Sequence, residues 1–110
     1  MIAGDIVITP GESGPYCGLA ALVLPKKGKF VEVWTGRFLL TYDREQLLPH
    51  GRVRRARTYR TRKGKEFAQF RVNFGEDDYV VDVEITDSQY KIEYLRKAAF
   101  LKALEKRHGP

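Results

Sequence analysis

The chain has 110 residues, 43% of them hydrophobic and 31% charged, and carries a net charge of +6. That is the length and composition of one globular domain with its own core, which excludes a disordered tail. A lone cysteine, Cys17, excludes an internal disulfide or a cysteine-based zinc site and fits a reducing setting.

The start, Met1-Ile-Ala-Gly-Asp5, lacks the basic-then-apolar order of a signal peptide. No apolar run approaches the roughly 20 residues that a membrane span requires, so a cytoplasmic location without membrane contact is expected. Asp5-Ile-Val-Ile-Thr9 is β-branched and stops at the turn signal Pro10-Gly11, and Glu12-Ser-Gly-Pro15 continues as loop. Cys17-Gly-Leu-Ala-Ala-Leu-Val-Leu24 is an apolar strand closed by Pro25, with Lys26-Lys-Gly-Lys29 as a polar hairpin tip. Lys29 to Thr35 pairs back, Gly36 breaks it, and Arg37 to Tyr42 is the next strand. Asp43 to Pro49 makes a tight turn with Leu47 and Leu48 pointing inward. Short strands separated by turn signals every eight to twelve residues predict a small antiparallel barrel over residues 1–50.

The Gly4-Asp-Ile-Val-Ile8 start, glycines 14 and 18, the strand through Ala21 and Val23, Phe30-Val-Glu-Val-Trp34 and the closing Glu45-Gln-Leu-Leu-Pro49 follow a familiar order. Over residues 4–49 it resembles the SH3-like small barrels, including the KOW type. The resemblance implies a fold more than a function, because that scaffold serves ribosomal, transcription-factor, peptide-binding and electron-transfer modules. The acidic loop and aromatics with which signalling SH3 domains read proline-rich peptides are not recognisable, so no proline-peptide function is carried over. Trp34 shares a strand face with Phe30 and Glu32 and is a candidate contact residue, unless the second half of the chain covers it.

Residues 51–110 read as a basic hairpin, a third strand and a helix packed on the barrel, with Pro49-His-Gly51 as the joint. From Arg52 to Lys65 stand eight cations and no acid: Arg52, Arg54, Arg55, Arg57, Arg60, Arg62, Lys63 and Lys65. The chain's other twelve cations face fourteen acids, so the positive charge is local. A two-residue turn at Lys63-Gly64 would set Tyr59 opposite Ala68, Arg57 opposite Phe70 and Arg55 opposite Val72. That places two guanidiniums beside the apolar row Ala68, Phe70, Val72 and Phe74; a bulge or a one-residue slip would free them. Gly75 to Asp78 reads as a turn, and Tyr79 to Ile85 as a strand with its odd positions apolar.

A helix capped by Asp87 or Ser88 is expected to run to about Arg107 and stop at Gly109, although 90–94 also fits a fourth strand. It carries one apolar stripe of Tyr90, Tyr94, Ala98, Leu101 and Leu104. A weaker one, Ile92, Leu95, Ala99 and Ala103, lies nearly opposite.

Catalytic assemblies lack parts. His50 falls in the expected joint and His108 at the end of the helix, Cys17, Ser13 and Ser88 have no nucleophile motif, and no glycine loop leads into a helix to cradle phosphate. Glu76-Asp-Asp78 with Asp82 and Glu84 has no cation-loop spacing and reads as a turn and a wet strand face. A non-enzyme without cofactor or metal is expected.

The basic hairpin points to nucleic acid, with cations on phosphates and Tyr59 and Phe67 as stacking faces. The alternative partner is an acidic protein surface met by the same patch, with the helix offering a face to a larger complex or a second copy. The bland alternative is a solvated strand whose cations pair with acids on its neighbours.

Overall fold

The computed structural model describes residues 1–25, 28–86 and 91–108. Its strands are β1 (Asp5–Ile8), β2 (Ala20–Val23), β3 (Val31–Trp34), β4 (Leu39–Tyr42), β5 (Leu48–Arg60), β6 (Glu66–Phe74) and β7 (Asp77–Ile85). A short 3-10 turn at Arg44–Gln46 links β4 to β5, and one helix, α1 (Ile92–His108), closes the fold. The protein is therefore mainly β with a C-terminal helix, and Ile92 to Tyr94 are helical rather than strand. Expectations for Lys26, Lys27, the helix cap at Asp87 or Ser88, Gln89, Tyr90, Gly109 and Pro110 fall outside the described residues.

Every strand pair is antiparallel, and the seven strands form a single open sheet in the order β4-β3-β2-β1-β5-β6-β7. Its edges are β4 and β7, so closure into a barrel is not part of this pairing.

Pro49-His-Gly51, expected as a joint, lies inside β5. The first part of that strand pairs with β1 from Leu48 to Arg52, and from Gly51 onward it pairs with β6. One residue, His50, is spare where the β1 register shifts. Gly51 has a steric reason to be glycine: an added Cβ would lie 1.9 Å from the carbonyl oxygen of Asn73. β2 is shorter than the apolar run suggested because the chain before it closes a loop. Gly18 N–H donates to Thr9 O at 3.0 Å, and Leu19 N–H to Thr9 Oγ1 at 2.8 Å.

Alternation along the first strands builds two apolar clusters on opposite faces of the sheet. Val7, Ala21, Val23, Val31, Val33 and Leu47 form the smaller one. Leu48 does not join it; it is 67% exposed, because Leu47 and Leu48 are adjacent in extended chain and point opposite ways. The larger cluster joins Ile6 and Leu22 to Val53, Phe70, Val72, Phe74, Val81 and Val83, and α1 lies across it.

The helix buries Leu95, Ala99, Phe100 and Ala103. Of the two stripes, the weaker one, with Phe100 added at its margin, is the packed one. Tyr94 and Leu101 of the stronger stripe are exposed, while Ala98 and Leu104 are partly buried. Two alanines in the packed face let the helix axis approach the sheet closely, so they contribute by being small. Phe100 then reaches Phe74 and Trp34, with centroids 5.8 and 6.2 Å away.

Candidate nucleic-acid interface

Val53 N–H still donates to Gly4 O at 2.7 Å; beyond it, β5 has left the β1 segment behind and is bonded on one side only, to β6. The hairpin connecting them is one residue longer than expected. Thr61 N–H donates to Lys65 O at 2.8 Å, and Gly64 takes φ +83°, so Arg62, Lys63 and Gly64 form the tip. Near the tip this makes Tyr59 pair with Phe67 and Thr58 with Ala68.

A second shift follows at Ala56, which has no partner on β6: Arg57 pairs with Gln69 but Arg55 pairs with Phe70. The expected register is thus corrected by one residue near the tip and by two beyond the bulge.

The bulge also decides which side chains share a face. Arg52 pairs with Asn73 and Arg54 with Arg71, on the side away from the helix. Strict alternation would next put Ala56 and Thr58 there; the spare residue substitutes Arg57 and Tyr59. Arg55 stays on the Phe70 side of the pairing, yet it is exposed.

The outer face therefore runs in rows across β5, β6 and β7. Arg54, Arg71 and Val80 form one, Arg57, Gln69 and Asp82 the next, and Tyr59, Phe67 and Glu84 the last. Arg57 Nε donates to Gln69 Oε1 at 3.2 Å, and Gln69 Nε2 donates to Asp82 Oδ1 at 3.1 Å. The amide separates the guanidinium from the carboxylate, so the two are linked without forming an ion pair. The Arg57 guanidinium carbon lies 5.0 Å from the Tyr59 ring centroid, and that ring stacks on Phe67 at 5.5 Å. Desolvation, and then the charge and hydrogen bond of Asp82, push the Tyr59 phenol above its ordinary pKa, while Arg57 pulls the other way.

Two cations of the run are neutralised locally. Arg52 Nε bonds Asp5 Oδ1 at 2.8 Å, and Arg60 bonds Glu66 Oε1. Among the described residues the other six, Arg54, Arg55, Arg57, Arg62, Lys63 and Lys65, have no ion pair and are exposed. Arg71 adds a seventh cation, also exposed and without an ion pair. Its place on the outer face was readable from alternation along β6, but its position beside Arg54 needed the register.

Trp34 is not brought to this face. It is half-buried under α1, against Phe100 and with Lys97 Nζ 5.4 Å from its ring centroid. Among the described residues, no group of three or more His, Cys, Asp or Glu side chains is arranged to hold a metal ion. A groove of about 560 Å³ opens between Ile8, Leu19, Phe38, His50, Leu104 and Arg107, and no residue of the basic run lines it. No described helix is long and apolar enough to cross a membrane.

Comparison with known proteins gives no guide to this face: no family model matches the chain, and neither a curated protein nor a solved structure does.

Proposed function

We propose that the protein is a non-enzymatic nucleic-acid-binding module that grips phosphates with Arg54, Arg55, Arg57, Arg62, Lys63 and Lys65, assisted by Arg71. The reading rests on one observation: these side chains stand exposed and unneutralised along one strand and its tip, although acids occupy the same sheet two strands away. Guanidinium and ammonium groups placed this way displace condensed counterions from a phosphate backbone, a gain in affinity that needs no base recognition.

The rest of the chain serves as scaffold. The small strands from β1 to the start of β5, with their own cluster around Val7, Val23 and Val33, support an SH3-like unit over residues 4–49 from which the basic hairpin extends. A second reading gives the patch an acidic protein partner, and the exposed Tyr94 and Leu101 on α1 favour it by offering apolar contact area.

A binding titration on labelled oligonucleotides at several salt concentrations tests the first reading. Four or five phosphate contacts correspond to a log–log salt slope of roughly −3 to −5. Absence of binding at low salt, or a slope near zero, overturns it. A stoichiometric protein retained from nuclease-treated lysate would support the second.

A further inference from the structure

Resting on the nucleic-acid reading, we infer that the ligand is a single strand laid along β5, with bases against the Tyr59–Phe67 pair, rather than a duplex. Three independent features of the sheet lead there.

The first is the width of the positive strip. Neighbouring strands lie about 4.8 Å apart, so cations on β5 and Arg71 on β6 span one strand spacing. Glu66 on β6 lies on the other face, bonded to Arg60, and on the outer face acids begin on the next strand: Asp78 stands opposite Asn73, Asp82 opposite Gln69 and Glu84 opposite Phe67. A duplex presents two phosphate rows across a groove about 12 Å wide, and the second row would meet those carboxylates. One backbone fits the strip; two do not.

The second is the contrast between two strand edges. On β7 the helix covers outward carbonyls, with Lys106 Nζ donating to Val80 O at 3.0 Å and Lys102 Nζ to Asp82 O. On β5, among the described residues, no backbone bond leaves the outer edge from Arg54 to Arg60. Its outward N–H groups remain available to phosphate oxygens alongside the guanidiniums. The crowded arginines at the same time discourage addition of another protein strand there.

The third is chemistry at the end of the strip. Arg57, Tyr59 and Phe67 form a continuous cation–ring–ring stack on the outer face. Such a platform accepts any unpaired base and has nothing to offer bases already stacked in a duplex.

The test compares a single-stranded oligonucleotide, the same sequence as a duplex, and a poly-glutamate peptide of equal charge, by fluorescence anisotropy at one salt concentration. The inference predicts single-strand affinity roughly tenfold or more above that of the duplex, one stacked base being enough for such a ratio. It also predicts that Tyr59→Leu with Phe67→Leu, which keeps apolar bulk but removes the rings, lowers that ratio toward one. The salt slope of single-strand binding should stay the same. Circular dichroism of the variant confirms its fold, and photocrosslinking of the wild-type protein to a halogenated oligonucleotide provides a second readout at Tyr59 or Phe67.

Equal or tighter duplex binding, or crosslinks confined to other residues, overturns the single-strand inference while leaving nucleic-acid binding intact. Poly-glutamate competing as well as the oligonucleotide overturns it in favour of an acidic protein. If neither nucleic acid binds, both this inference and the reading beneath it fail.

Discussion

Arg57 pairs with Gln69 while Arg55, two residues earlier, pairs with Phe70, adjacent to Gln69 on β6. The unpaired Ala56 between them brings Arg57 onto the face that already holds Arg52 and Arg54, and carries Tyr59 along with it. The charge of the face is thus set by sequence, and its alignment by one extra residue.

Cations on this face should separate into two kinds. Arg54→Ala and Arg57→Ala each remove an arginine without a carboxylate partner, so each should reduce the salt slope of binding by about one. Stability should shift by no more than about 0.5 kcal/mol. Arg52→Ala should do the reverse, because it takes the guanidinium from Asp5, whose side chain is only 14% exposed and would keep only the hydrogen bond from Ile2 N–H. A loss of about 1 kcal/mol is expected in denaturant unfolding, with the salt slope nearly unchanged.

The helix contact has an equally direct check. Phe100 is fully buried between Trp34 and Phe74, and Phe100→Ala should cost about 3–5 kcal/mol by urea unfolding. Leu101→Ser, one position along and 38% exposed, should change stability by roughly 0.5 kcal/mol or less. Equal effects would mean that the helix packs by its other face.

Tyr59 provides a pH signature. Desolvation, then Asp82, raise its phenol above the ordinary value of about 10, so the folded state favours the protonated ring. Any stability from this source is present below pH 10 and is lost as pH rises through the folded-state pKa. A phenolate difference titration between the native protein and Tyr59→Phe isolates the group. In Asp82→Asn the midpoint should move down but stay above its ordinary value, since desolvation is the larger cause.

Much of the architecture could be read from the residues, and the exceptions share a cause. The order of strands, the helix after Ile85 and the basic hairpin follow from alternation, turn residues and local charge, all of which are short-range properties. Register did not follow, because a hairpin tip of two or three residues satisfies the same Lys63-Gly64 signal and a bulge leaves no mark in Arg54-Arg-Ala-Arg57. The packed helix face did not follow from the two stripes because Ala99 and Ala103 carry little hydrophobic weight, although their size is what lets Phe100 reach Phe74. Arg71 was legible as an outer residue of β6 and became part of the candidate site only once Arg54 was known to stand opposite. The covering of β7 by Lys102 and Lys106 joins positions twenty or more residues apart, beyond any local pattern.

The central claim is that the open edge of β5 and its tip are where nucleic acid binds. Amide chemical-shift mapping by NMR during titration with an oligonucleotide measures this directly. The account predicts perturbations concentrated at residues 54–67 and at Arg71, with β7 and α1 little changed. Perturbations centred instead on α1 around Tyr94 and Leu101, or none at saturating oligonucleotide, would contradict it.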